Sequence, residues 1–174
     1  EKLNNILTLT ECIQKERKLL EKIEEIGQMI DTSELSSNQL RKWIKEFIQK
    51  KMAPLSLVFE SFAFKNSLPL DADLVFDVRI LTNPYYDKKL RPKNGKDEEV
   101  IIFLNNQSDV SDMYKDISNF LDKWLPSFHM NNRSYLTIAI GCTGGQHRSV
   151  YIVEKLATSF RKKASVIVRH RELD

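Results

Sequence analysis

One stretch of the sequence, Ile138 to Ala157 (IAIGCTGGQHRSVYIVEKLA), constrains the fold more than any other. An apolar run ends in a glycine, a turn with two more glycines follows, and the next residues have the apolar spacing of a helix. Three of the five glycines of the chain therefore lie within five residues. The order predicts a strand, a glycine-rich turn and a helix, which is an arrangement that binds anions in α/β proteins.

The remaining periodicities predict an α/β fold with a mixed or mostly parallel sheet flanked by helices. Strand and helix signals alternate in the second half of the chain, and the strand–helix–strand order around the glycine turn predicts a βαβ unit. A long loop is expected in the stretch LTNPYYDKKLRPKNGKDEEV, which contains two prolines and a glycine. The predicted strands are LSLVFESFAF, SYLTIAI, SVIVRH and a strand end at Met29–Ile30. Two helices are predicted in the first part of the chain: Thr10–Ile26, and a segment with the apolar stripe Leu40–Ile48 that follows a Ser36/Gln39 capping box. Two more are predicted later, one from Asp109 or Ser111 to just before Pro126 and one over Arg148–Lys162.

Composition excludes several classes of protein. The apolar runs are too short to cross a bilayer, and no signal peptide begins the chain, so no membrane partner is expected. Two cysteines do not make a disulfide framework or a zinc site, and the three histidines are scattered, so no metal site is expected. A reducing, cytoplasmic location is the expectation. The net charge of +3 is too small to indicate nucleic acid by itself.

The glycine turn has the chemistry of a phosphate site. Backbone amides at the start of the following helix lack intrahelical partners, and glycines allow the backbone to approach a ligand closely. Hydroxyl groups can donate to phosphate oxygens, and an arginine can bind two of them. A histidine in this position either contacts the ligand or makes a structural hydrogen bond. The residues that would form the site are Cys142, Thr143, Gly144, Gly145, His147, Arg148 and Ser149.

The turn is not an ATP-binding P-loop, because the chain nowhere contains the Gly-x4-Gly-Lys-Ser/Thr pattern. A second hypothesis starts from the spacing of Cys142 and Arg148, which resembles the Cys-x5-Arg loop of cysteine-dependent phosphatases. There the thiolate attacks phosphorus, and a general acid would come from an aspartate such as Asp71, Asp73, Asp77 or Asp87. The alternative is that Cys142 is a small residue packed at the end of the strand.

The C-terminal end is rich in cations. Either these side chains bind RNA, or they form an ordinary solvated surface that also suits the end of a helix. The cations in question are Arg161, Lys162, Lys163, Arg169 and Arg171.

Four blocks in order, FESFAFKNSLPLDADLVFDVR, NPYYDKKLRPKNGKDEEV, NNRSYLTIAIG and GCTGGQHRSVYIVEKLA, resemble the C-terminal domain of the RapZ/YvcJ family of bacterial nucleotide-binding proteins, also called RNase adapter proteins. The resemblance implies two parts: residues 1–50 as the end of an N-terminal kinase-like P-loop domain, and residues 54–174 as a C-terminal domain that binds a phosphorylated metabolite and RNA. It also implies a likeness to the sugar-phosphate half of phosphofructokinase-like folds.

The resemblance further implies that the ligand is an amino-sugar phosphate, and it adds Asp77, Arg79, Asn83 and Tyr85 to the pocket. ATP or GTP would be bound and hydrolysed by Walker motifs of the N-terminal domain, which this chain lacks, so no cofactor and no catalytic residue is expected here. The implied role is regulatory, in amino-sugar metabolism, with RNA, a regulatory protein or an RNase as partners and with self-association into a homo-oligomer.

Overall fold

The structure is a computed structural model, which describes residues 8–24, 29–33, 35–49, 55–130 and 135–173. Four strands form one parallel sheet with the spatial order β2-β3-β1-β4. Their bounds are Ser56–Ala63 for β1, Leu74–Asp77 for β2, Tyr135–Cys142 for β3 and Ser165–His170 for β4. The predicted α/β fold is therefore confirmed, and every strand pair of the sheet is parallel.

Five α-helices and one short 3-10 helix are found in the described parts of the chain. The capping box predicted before the second helix is confirmed, because the Gln39 backbone N–H donates to Ser36 Oγ at 3.3 Å and the Ser36 N–H donates to Gln39 Oε1 at 2.9 Å. The helices are α1 (Leu9–Glu24), α2 (Ser37–Gln49), the 3-10 helix (Pro84–Tyr86), α3 (Glu98–Asn105), α4 (Ser108–Met130) and α5 (Arg148–Phe160).

Strand β1 occupies the centre of the fold. All eight of its residues are buried, as expected for a parallel strand covered on both faces. It pairs with β3 from Ser56 to Ala63 and with β4 from Ser56 to Ser61, so that β3 and β4, the strands joined by α5, lie on either side of it. The apolar face of α5 packs on this part of the sheet, with the rings of Phe59 and Phe160 5.7 Å apart.

The structure differs from the prediction in several elements, and strand β2 (Leu74–Asp77) was not among the predicted strands. Helix α4 does not end before Pro126 but continues to Met130. Leu125 and Phe128, next to the proline, pack against the core, and this burial offsets the hydrogen bond that a proline cannot donate. Helix α3 was not predicted, and Met29–Ile30 forms no strand. In the described ranges no helix is long and apolar enough to cross a membrane.

Candidate phosphate site at the carboxyl edge of the sheet

The glycine turn lies at the edge of the sheet where all four strands end. Residues 143–147 connect the end of β3 to the start of α5, as the sequence predicted. Gly145 has φ +68°, and a Cβ there would lie 3.0 Å from the backbone nitrogen of Ala63 and 2.3 Å from Glu172 Cγ. Glycine is therefore required at this position, both by conformation and by the close approach of the chain after β4.

Gly144 is in a different environment. A Cβ added there would meet no atom within 4 Å, and the neighbouring Thr143 side chain is exposed. The turn thus has open space at Gly144, four residues before Arg148, where α5 begins and backbone amides lack intrahelical acceptors. The space beside Gly144 therefore has room for a small ligand group.

Arg148 joins the turn to the loop that follows β2. Its Nη1 donates to the carbonyl oxygens of Arg79 at 2.7 Å and Leu81 at 3.0 Å, and its Nη2 donates to Thr143 Oγ1 at 3.4 Å. The residue is 4% exposed. Two of its donors therefore hold backbone in place, while its charge remains beside the turn.

Asp77 and Arg79 form an exposed ion pair at the same edge. Arg79 Nη2 lies 2.7 Å from Asp77 Oδ2, Arg79 Nε donates to both carboxylate oxygens, and the guanidinium lies over the Phe64 ring, 4.1 Å from its centroid. Hydrogen bonds from Arg79 lower the pKa of Asp77, and the charge of Arg148 contributes. Asp77 is thus an ionised acceptor close to the cationic turn.

His147 is buried and makes a structural contact. Its Nε2 donates to the carbonyl oxygen of Leu90 at 3.1 Å, which requires the Nε2–H tautomer. Burial lowers the pKa of His147, and the charge of Arg148 acts in the same direction. The ring is consequently neutral at pH 7 and ties the loop between β2 and α3 to the turn.

Cys142 is buried at the end of β3. It is 2% exposed, and its Sγ lies 3.2 Å from Ser149 Oγ. Ser149 is itself fully buried. These placements show Cys142 and Ser149 behind the turn, in the core, while the open face of the turn is formed by Thr143 and Gly144.

The remaining predicted pocket residues lie in the loop after β2. Asn83 Oδ1 accepts from the Tyr85 N–H at 3.3 Å and caps the 3-10 helix. The Tyr85 ring is half exposed, and the guanidinium of Arg91 lies over it, 4.6 Å from its centroid. Arg148 holds the first part of this loop through the carbonyl oxygens of Arg79 and Leu81.

The four aspartates considered as general acids are separated by the fold. Asp73 Oδ2 accepts from the Thr137 N–H at 2.8 Å, at the amino end of β2. Asp87 is exposed in the loop, where its Oδ1 accepts from the Lys89 N–H at 2.8 Å. Asp71 is buried, and its Oδ2 lies 3.7 Å from Arg169 Nη1. Of the four, only Asp77 lies at the carboxyl end of a strand.

The basic C-terminal residues fall into two groups. Arg161, Lys162 and Lys163 are exposed beyond the end of α5, and Lys163 Nζ pairs with Asp122 Oδ1 at 2.7 Å. Arg169 and Arg171 are 1% and 7% exposed, so their guanidinium groups face the interior. An RNA backbone can reach only the first group in this conformation.

Sequence reasoning missed a buried ionic cluster of five residues. Arg169 Nη1 lies 3.8 Å from Glu60 Oε2 and 3.7 Å from Asp71 Oδ2. Arg171 Nη1 donates to Glu60 Oε1 at 3.3 Å, and its Nη2 lies 3.7 Å from Asp31 Oδ2. Burial raises the pKa of Glu60 to about 7, and burial also raises the pKa of Asp71. The one sequence signal was the glutamate in the middle of the apolar strand LSLVFESFAF.

Comparison with known proteins decides the family. The model of the RapZ C-terminal domain matches residues 55–174. The chain belongs to the RapZ C-terminal domain family. The match begins with the residue before β1 and includes the whole sheet, the glycine turn and α5, so the candidate phosphate site lies entirely within the RapZ C-terminal domain.

Curated relatives extend the similarity beyond the RapZ C-terminal domain. The chain is 60% identical over 167 residues to a nucleotide-binding protein of Janthinobacterium sp. (strain Marseille) and 60% identical over 167 residues to one of Herminiimonas arsenicoxydans. It is 56% identical over 168 residues to a nucleotide-binding protein of Methylobacillus flagellatus. Each alignment includes 96% of this chain but only 58%, 58% and 60% of these relatives, so the chain spans somewhat more than half of their length.

Proposed function

We propose that this chain is a regulatory domain that binds a phosphorylated metabolite, an amino-sugar phosphate, at the glycine turn. The observation that carries the proposal is the open space at Gly144, in the turn that leads into α5 and next to the exposed Thr143. A phosphate there would accept from backbone amides and from Thr143 in the positive potential of the helix start. The buried charge of Arg148 adds to that potential.

The ion pair of Asp77 and Arg79 supports a sugar with an amino group as the rest of the ligand. An ionised carboxylate accepts hydrogen bonds from hydroxyl and ammonium groups, and the Asp77 carboxylate is 44% exposed beside the turn. Arg79 can turn from Asp77 to a phosphate oxygen, because its guanidinium is half exposed. The two side chains therefore complement a ligand with a cationic end and an anionic end.

The test is isothermal titration of the chain with glucosamine 6-phosphate, with glucosamine and inorganic phosphate as partial ligands. We expect saturable binding of the phosphosugar that is lost in Gly144→Leu, whose side chain fills the open space, and weakened at least about tenfold in Arg79→Met. Arg41→Met, an exposed arginine on α2, is the matched control. Absence of binding, or equal binding by Gly144→Leu, would refute the phosphate site.

The same experiment separates binding from the cysteine phosphatase hypothesis. Release of inorganic phosphate from glucosamine 6-phosphate, abolished by Cys142→Ser, would favour catalysis at the Cys142–Arg148 loop. We expect no release, because the Cys142 sulfur is buried against Ser149 and Arg148 already holds two backbone carbonyls.

For the whole protein, we propose the organisation that the family resemblance implies. Residues 1–50 would be the end of a P-loop domain that binds and hydrolyses ATP or GTP, and the site at the glycine turn would report metabolite levels to RNA, a regulatory protein or an RNase. The relatives are named nucleotide-binding proteins, while this chain contains no Walker pattern. A cytoplasmic homo-oligomer is part of the same proposal. Nucleotide hydrolysis by a full-length relative and not by this chain would support it.

RNA binding is a second candidate, supported by the three consecutive exposed cations Arg161, Lys162 and Lys163. Fluorescence anisotropy with a labelled single-stranded RNA at several salt concentrations tests it. Loss of one phosphate contact in Arg161→Met should reduce the slope of log affinity against log salt by about 0.7. Lys88→Met, an exposed loop lysine, should leave the slope unchanged, and equal slopes for all three proteins would remove Arg161 from the RNA surface.

A further inference from the structure

A groove lies on the outer face of α5, away from the sheet. It is an open groove of about 630 Å³ between α3, α4 and α5, a volume within the range of known ligand sites. Its apolar floor is formed by Ile101, Tyr114 and Tyr151, and its rim carries Lys96, Lys155 and Lys162. From Tyr151 to Ser159 the groove follows α5 for roughly 12 Å, the length of about four residues of extended chain.

Lys155 is held in place at the middle of the groove. Its Nζ donates to Tyr151 Oη at 2.9 Å and to Asn105 Oδ1 at 3.3 Å. The ammonium also lies 5.0 Å from the centroid of the Tyr114 ring and 5.2 Å from that of the Tyr151 ring. The charge is therefore fixed in one position by neutral groups, so little ordering entropy is lost when it meets an anion.

The charge of the groove is unbalanced. Among the described residues, no carboxylate lies within ion-pair distance of the Lys155 ammonium. The one carboxylate in the lining, that of Glu154, lies 3.1 Å from His170 Nε2. With three lysines and one carboxylate, the lining of the groove carries a net positive charge.

An apolar and aromatic floor with a charged rim is the composition of a protein–protein interface. Tyr114 is partly exposed, and a tyrosine that a partner buries contributes a large share of binding energy. The groove is long and open rather than closed, and its donors are side chains instead of backbone amides. These properties favour a peptide segment over a small phosphorylated molecule.

From this geometry we propose that the α5 groove binds an acidic segment of a partner protein. One apolar or aromatic side chain of the segment packs on the partly exposed Ile101 and Tyr114. Aspartate or glutamate residues on either side of it pair with Lys155 and with the lysines at the two ends. This surface is separate from the glycine turn, and the proposal does not depend on the phosphate site.

The test is selection of random displayed peptides about 12 residues long on the native chain, with counter-selection on Lys155→Met. We expect enriched sequences in which acidic residues flank an apolar or aromatic one. A synthetic enriched peptide should bind Lys155→Met at least about tenfold more weakly, and more weakly at high salt. Lys123→Met is the matched control, since Lys123 also lies over an aromatic ring, that of Trp124, but outside the groove.

Four results would overturn the proposal. They are no enrichment, enrichment of sequences without excess aspartate and glutamate, equal binding by Lys155→Met when its thermal midpoint is that of the native chain, and loss of binding in Lys123→Met. The groove would instead bind RNA if a short oligouridylate, and no acidic peptide, depended on Lys155. It would be a contact between copies of this chain if sedimentation showed self-association that Lys155→Met abolished.

Discussion

The guanidinium group of Arg169 stacks on the indole ring of Trp43, with its Cζ 4.3 Å from the ring centroid. Trp43 belongs to α2 and precedes the family match, whereas Arg169 belongs to the last strand. Both side chains are buried, and Gln39 Nε2 adds a hydrogen bond to the carbonyl oxygen of Arg171 at 3.4 Å. Helix α2 is therefore packed on the RapZ C-terminal domain.

Replacement of Trp43 by alanine tests the contribution of α2 to the stability of the sheet. We expect the free energy of unfolding to fall by about 3 kcal/mol, because the change leaves a cavity and removes the stacking partner of a buried cation. Urea denaturation measures it. The control is Trp124→Ala on α4, which is 43% exposed and should lose less than about 1 kcal/mol. Equal losses of unfolding free energy in the two variants would contradict the packing of α2 on the RapZ C-terminal domain.

The Glu60 carboxyl group links stability to pH. Burial raises its pKa from 4.5 to about 7, so the folded state binds a proton that the unfolded state has released over that interval. The stabilisation from this proton is fully present below pH 4.5, the pKa of Glu60 in the unfolded state. It is lost as the pH rises through the folded-state pKa of about 7, so the free energy of unfolding falls by roughly 3 kcal/mol. The groups facing it are Asp71, Arg169 and Arg171, with Asp31 on the far side of Arg171.

Glu60→Gln isolates this effect, because glutamine retains the acceptor for Arg171 and has no titrating proton. We expect the unfolding free energy of Glu60→Gln minus that of the native chain to rise between about pH 5 and about pH 8, because only the native chain loses the stabilisation from this proton. Glu99→Gln, at an exposed carboxylate paired with Lys93, is the control and should show no such rise. A difference that stays constant over this range would mean that Glu60 titrates normally.

Local patterns were sufficient to predict much of this fold. The strand Ser165–His170, the capping box at Ser36 and the glycine turn were all predictable, because each depends on neighbours in sequence. The helix over VIIFLN was not predicted, since a short apolar run is equally compatible with a strand. Helix α4 passes through Pro126 because of packing against the core, which periodicity cannot reveal.

For the candidate site residues, the sequence predicted the places that depend on local order and not those that depend on distant contacts. Thr143 and Gly144 lie on the open face of the turn because the strand and helix around them are local. Arg169 and Arg171 had the pattern of surface cations, and charged residues are usually exposed. Their burial depends on Asp31, Glu60 and Asp71, which only the folded chain brings together.

Gly95 is required by a close approach between the long loop and α5. Its N–H donates to the Gln146 carbonyl oxygen at 2.8 Å, and a Cβ there would lie 2.3 Å from the His147 carbonyl oxygen. Because the two nearest atoms it would meet are backbone, Gly95→Ala should lower the free energy of unfolding by about 2 to 3 kcal/mol in urea denaturation. Gly144→Ala, in open space, should change it by less than about 0.5 kcal/mol. A neutral Gly95→Ala would show that the loop can move away from α5.

Replacement of Arg148 by lysine tests whether the guanidinium group holds the loop after β2. Lysine keeps the charge but cannot donate from two nitrogens at once, so the bonds to the Arg79 and Leu81 carbonyls and to Thr143 cannot all survive. We expect a loss of about 2 kcal/mol in unfolding free energy and faster hydrogen exchange at the Leu81 amide, which donates within this loop. Arg91→Lys, at an exposed arginine with one bond to the Tyr85 carbonyl, should show neither change. If hydrogen exchange at Leu81 is unchanged in Arg148→Lys, the positive charge of Arg148, and not its paired N–H donors, explains the arginine at the turn.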